Sequence, residues 1–225
     1  MLEAHRYKAV AEAGPLGKES LGGNGLLALS SPDGIHWSNL SPELIVKPGS
    51  ELSGFDSQNL AFWDPVRGEY RLYRRASFRE GPTGVFRDIL TYTSKDFLHW
   101  EGPQRLEYPG AQPEQLYTNN VIPYFRAPHL FIGFPARYVM RPWSEAVADL
   151  PERARREAVI QRASGAAPIE TAITEVGSQR IGTSLTDTLL MTSRDGVAFH
   201  RWDEAFIRPG LRPTNNWFYP DNFQN

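Results

Sequence analysis

Five carboxylates recur beside short strand-like runs of this 225-residue chain: Asp56, Asp88, Glu114, Asp187 and Asp221. Close to them in sequence stand the amides Asn59, Asn119 and Asn120, the arginines Arg75, Arg87 and Arg137, and the rings Tyr117 and Tyr138. These residue types suit one kind of chemistry. Two carboxylates flanking a glycosidic bond can act as acid plus base or nucleophile. Amide and guanidinium groups hydrogen-bond hydroxyls, and aromatic rings stack on sugar faces. Taken singly, each residue also fits a loop cap, an Asx turn or a surface ion pair.

The elements that would gather these residues come from a repeat. "NGLLALSSPDGIHW" (24–37), "RDILTYTSKDFLHW" (87–100) and "TDTLLMTSRDGVAF" (186–199) are three copies of one strand and turn. A second series places Asn59, Asn120 and Asn222 in "FDSQNLAFWD", "LYTNNVIPYF" and "WFYPDNFQ". The two series define a unit of about 62 residues, with roughly 40 more in one copy. The second unit predicts four strands, at 57–63, 69–76, 88–94 and 98–107. Such units, arranged radially, predict an all-β propeller. In the turn, the aspartates Asp33, Asp96 and Asp195 are expected to accept downstream backbone N–H groups. The glycine supplies φ > 0, and the closing Trp or Phe is expected to pack between blades. His36 and His99 precede that aromatic in two copies and belong to the repeat. Where the other copies carry Asp88 and Asp187 the first has Gly25, a position at which strand pairing needs no carboxylate.

Direction alternates in a meander, so the start of strand one, the end of strand two and the start of strand three share a rim. All the residues named at the outset fall on that rim, and the aspartate turns fall on the opposite one. The extra segment, 139–186, enters between strands two and three of the third unit and is expected to overhang the same rim as a lid or oligomer contact. Within it "DLPERARREAVIQRA" opens with a D-x-x-E capping box (Asp149, Glu152) and predicts a short helix.

Composition excludes several functions. The net charge of -2 provides no basic field, so no nucleic-acid partner is expected. No cysteine is present, which excludes disulfides, thiol nucleophiles and Cys-ligated zinc, and the five histidines lack metal-ligand spacing. No apolar run approaches the roughly 18 residues of a membrane span, and "MLEAHRYKAV" lacks the apolar stretch of a signal peptide. Neither a metal nor a cofactor is expected; the partner expected is an oligosaccharide or glycoside. Compartment and oligomeric state stay open.

"FDSQNLAFWDPVRGEYRLYRR", "RDILTYTSKDFLHW", "PEQLYTNNVIPY", "LFIGFPARYV" and "TDTLLMTSRDGVAFHRWDEAFIRPG" resemble the five-bladed propeller glycoside hydrolases, the superfamily of families 32, 43 and 68. The resemblance runs over about 5–225. It implies a five-bladed β-propeller with about three and a half blades present, as one incomplete domain with a short helical insertion in one blade. It also implies catalytic carboxylates on successive innermost strands: Asp56 as the middle, tuning aspartate, Glu114 as general acid, and Asp221 entering from a further blade. The base or nucleophile of the first blade would lie upstream of Met1. No W-M-N-D-P-type motif, no innermost R-D-P triplet and no E-C pair is present, and Arg87-Asp88 falls on a third strand, as a rim contact. A non-catalytic carbohydrate-binding propeller therefore stands as the alternative. A sialidase-like propeller ranks third, because the turn only approximates an Asp box and few arginines reach the mouth.

Overall fold

The structure, a computed structural model, describes residues 5–13, 23–51, 54–55, 58–80, 85–139, 149, 151–155, 157–158 and 185–208. Strands β1 (Tyr7–Glu12), β2 (Leu26–Ser31) and β3 (Ser38–Asn39) form a three-stranded antiparallel sheet in chain order. Strands β4 (Asn59–Asp64), β5 (Glu69–Phe78), β6 (Phe86–Ser94) and β7 (Glu101–Arg105) form a complete four-stranded meander, close to the four runs expected. The chain is all-β, and these sheets are blades of a partial β-propeller.

Period-2 alternation explains why the blades stack. On β5, Leu72 faces the cluster shared with the first sheet (Leu26, Val46, Phe55), and Tyr73 faces the cluster shared with the third (Leu116, Phe131, Phe199). On β6, Leu90 and Ile89 divide in the same way. Both faces of the middle blade are thus buried, and residue parity fixes its register.

The third unit departs from a plain meander. Its strands are broken into β8 (Gln115–Leu116), β9 (Ile122–Tyr124), β10 (Ala127–Gly133), β11 (Ala136–Val139), β12 (Leu185–Thr188), β13 (Met191–Ser193) and β14 (Phe199–Arg201). They form two sheets, β14-β13-β10-β9 and β12-β11-β8. The break falls at Pro135, which has no N–H to give a ladder. Local bonds replace the ladder: Leu189 N–H donates to Pro135 O (3.0 Å), Asn120 Nδ2 to Phe134 O (3.2 Å) and Ala136 N–H to Thr118 Oγ1 (3.2 Å).

The aspartate turns form as expected, with one network in three copies. Asp33 Oδ1 accepts from the N–H groups of Ile35 and His36, Asp96 Oδ1 from Leu98 and His99, and Asp195 Oδ1 from Val197 and Ala198. His36 and His99 also close onto their aspartates through Nδ1 at 2.7 and 2.6 Å. Positive φ is met by Gly34 and Gly196 at 80° each, and by Phe97 at 74° in the middle copy. The closing aromatics diverge. Phe199 is fully buried, Trp100 packs edge-on against Phe97 of its own turn, and Trp37 is 42% exposed, so packing between blades does not hold for Trp37.

Gly25 has a steric reason as well. A Cβ there would run into Val46 O, so this position excludes every side chain, not only a carboxylate. Of the insertion, 153–155 and 157–158 are helical, and most of 139–186 lies outside the described residues. The capping box does not form at Glu152. That residue has φ 60°, precedes the helical residues, and gives its carboxylate to Arg155 (3.1 Å).

Candidate functional site

On the rim of the third blade, β11 lies between β8 and β12, so Arg137 is the direct cross-strand partner of Asp187 and of Leu116. Its guanidinium meets the Asp187 carboxylate with two prongs, Nε to Oδ1 at 2.9 Å and Nη2 to Oδ2 at 2.7 Å. Nη1 reaches the other way, to Glu114 Oε1 at 2.9 Å and to Asp203 O at 3.0 Å. The hydrogen bonds that Arg137 donates to Asp187, with the Asp187 and Glu114 charges, raise its pKa above the ordinary value, against the cost of burial. Two of the expected carboxylates are therefore gathered on one arginine, with Glu114 immediately before β8.

Glu114 also lines a cleft of about 490 Å³ between the second and third blades, with Glu80, Phe86, Asp88, Arg105 and Tyr108 among its walls. That volume lies within the range of small-ligand sites. Asp88, at the start of β6, is 3% exposed and fully engaged, not an open rim contact. Its Oδ2 accepts from Arg105 Nε (2.6 Å), and its Oδ1 from Tyr108 Oη (3.0 Å) and Ile89 N–H (2.8 Å). Burial still pushes the carboxyl pKa up, with Arg105 and the Ile89 amide opposing. Tyr108 is pushed well up by burial and by the Asp88 charge, so its hydroxyl remains a donor.

The expected sugar-stacking rings are occupied by the protein itself. The Arg75 guanidinium lies 4.5 Å from the centre of the Tyr117 ring, and that of Arg87 lies 5.6 Å from Tyr117 and 5.0 Å from Tyr138. Arg87 also donates to Gln115 Oε1 (2.8 Å), and Tyr138 is buried. These contacts lock β5 and β6 of one blade to the rim of the next.

The asparagines serve the backbone. Asn59 Nδ2 donates to Phe55 O at 2.9 Å. Asn119 is fully buried, and Asn120 takes φ 45°. Gln58, which the sequence did not single out, ties the residue just before β4 to the link between β8 and β9. Its Oε1 accepts from the N–H groups of Asn119 (3.2 Å) and Asn120 (3.0 Å), and its Nε2 donates to Asn120 Oδ1. Arg105 and Tyr108 were missed too, although a signal existed: the end of strand four returns to the same rim by the meander rule. Asp56 and Asp221 lie outside the described residues. Among the described residues no group of three or more His, Cys, Asp or Glu is placed to hold a metal ion. No helix there is long and apolar enough to cross a membrane.

No protein-family model matches the chain, and no curated protein matches it in sequence. Solved structures show a partial likeness to it. An N-acetylgalactosamine deacetylase from F. plautii, in complex with blood group B trisaccharide, is 15% identical with TM-score 0.47, over 84% of this chain and 46% of its own. A glycoside hydrolase is 14% identical with TM-score 0.47, over 84% and 46%. The GH93 α-L-arabinofuranosidase of Fusarium graminearum, with arabinobiose, is 10% identical with TM-score 0.40, over 79% and 40%. The chain spans less than half the length of each of these three structures, and its own strand pairing is what defines it as part of a propeller.

Proposed function

We propose that this chain forms part of a carbohydrate-active, glycoside hydrolase-like propeller, with Glu114 as the acid/base carboxylate at the rim cleft. The observation that carries the reading is the placement of Glu114. It lines the cleft, its side chain is about a quarter exposed, and Arg137, fixed from behind by Asp187, orients it. Oε1 accepts from Arg137, so the proton that a general acid transfers would ride on Oε2. Asp56 and Asp221, through the resemblance alone, are the partner carboxylates. The test is hydrolysis of a panel of aryl glycosides and neutral and acidic oligosaccharides. Activity that disappears in Glu114→Gln supports the reading, and the anomer released distinguishes retention from inversion.

A second reading, a carbohydrate-binding propeller without chemistry, has its own observation. Asp88 and Asp187 have both oxygens engaged by protein donors, which suits a fixed polar surface better than proton transfer. Glycan binding by the wild-type chain, with no hydrolysis of any panel member, would select that reading over the first.

A further inference from the structure

On the rim opposite Glu114, a second cleft of about 480 Å³ opens between the first and second blades. It lies where β1 begins, where β4 ends and where the Asp96 turn projects. Its walls combine aromatic faces with cations: Tyr7, Trp63 and Tyr70 with Arg6, Lys8 and Lys95. Among the described residues no carboxylate lines it; Glu69, which pairs with Lys95 at 3.2 Å, stands just outside. Trp63 is 46% exposed and Tyr7 40% exposed, although both flank buried β-structure. Trp63 is held edge-on against Tyr70 at 4.9 Å between ring centres, so its ring is fixed by the protein. The Lys8 ammonium lies 5.5 Å from the Tyr70 ring centre and donates to His5 O (3.2 Å), and the Arg6 guanidinium lies 5.3 Å from that of Tyr7.

We propose that this cleft is a second saccharide site, specific for an acidic sugar chain bearing hexuronate carboxylates. Exposed, immobilised Trp and Tyr rings match the C–H face of a pyranose, and they cost little entropy to present. Arg6 and Lys8, beside a Lys95 already paired with Glu69, favour a ligand of opposite charge over one of like charge. A uronate ring carries both features in one residue. The site stands apart from the Glu114 cleft and shares none of its lining residues.

The test uses the 225-residue chain with trigalacturonate, and its fully methyl-esterified form as a neutral isostere, by calorimetry and tryptophan fluorescence. Trigalacturonate is expected to bind at least about fivefold more tightly than the ester, and more weakly as salt is raised. Trp63→Ala and Arg6→Glu are each expected to weaken it on the order of fivefold. Arg6 is exposed, so that variant carries the test if Trp63→Ala does not fold. Glu114→Gln is expected to leave this binding unchanged, so failure here and failure of the rim-cleft reading give different results. Equal binding of acid and ester, no binding of either, or binding lost in Glu114→Gln and retained in Arg6→Glu would each overturn the proposal.

Discussion

Arg137 and Asp187, fifty positions apart in the chain, face each other across two antiparallel strands and bond through two N–H···O contacts of 2.9 and 2.7 Å. Their side chains are 14% and 8% exposed. Removing one partner strands the other charge in a poorly solvated place. Arg137→Ala is therefore expected to cost roughly 3 kcal/mol in urea unfolding. Arg137→Lys should recover less than half of that, because an ammonium cannot form the fork. Glu114→Gln keeps an acceptor oxygen at a partly exposed site and should stay within about 1 kcal/mol of wild type.

The glycines of the aspartate turns should respond unequally to one substitution. Gly34 and Gly196 share φ 80°, which costs any Cβ about 1–2 kcal/mol. At Gly34 the nearest atoms to a new Cβ are on Tyr7, 3.9 Å away, so Gly34→Ala should cost no more than that. At Gly196 the Cβ would meet Tyr73 Oη at 2.8 Å and Arg71 Cζ at 3.0 Å. It would also disturb the bond from Tyr73 Oη to Gly196 O (2.8 Å). Gly196→Ala should be the worse by about 1–3 kcal/mol, measured as the difference in unfolding free energy.

Gln58 offers a test of how the entry to β4 is joined to the link between β8 and β9. Gln58→Ala leaves the Asn119 and Asn120 amides without their acceptor and should destabilise by about 2 kcal/mol. Gln58→Glu keeps the acceptor oxygen and loses only the donor to Asn120. It should fall between Gln58→Ala and wild type in thermal unfolding.

The pH dependence has two parts of opposite sign. His36 side-chain and amide hydrogen bonds lower the pKa of Asp33, and the His99 amide and ring lower that of Asp96. Both contribute stability above the unfolded carboxylate value of about 3.9, lost as pH falls below it. Asp88, raised by burial, behaves the other way. Its contribution is fullest below that value and is lost as pH rises through its folded pKa. Urea midpoints measured across pH 2–7 should fall on acidification, and fall less in the Asp33→Asn/Asp96→Asn double variant. In Asp88→Asn, the loss of stability on raising the pH above about 4 should shrink, whatever the variant's absolute stability. A wild-type slope in either variant would contradict the assignment.

The sequence by itself determined the repeat, the four strands of the middle blade and the chemistry of the aspartate turn. Each of these is local or strictly periodic: Asp33 bonds residues two and three positions on, and alternate residues of β5 go to opposite cores. It also placed Asp88, Glu114, Arg137 and Asp187 on one rim, because meander direction follows from strand order alone. Only the tertiary structure decided what those side chains do there. Asp88 is consumed by Arg105 and Tyr108, Tyr117 by two arginines of the neighbouring blade, and Asn120 by Gln58. Gly25 is required by a carbonyl 21 positions later in the chain. These outcomes depend on which atoms of one blade arrive beside another, and residue spacing within a blade carries no record of that distance.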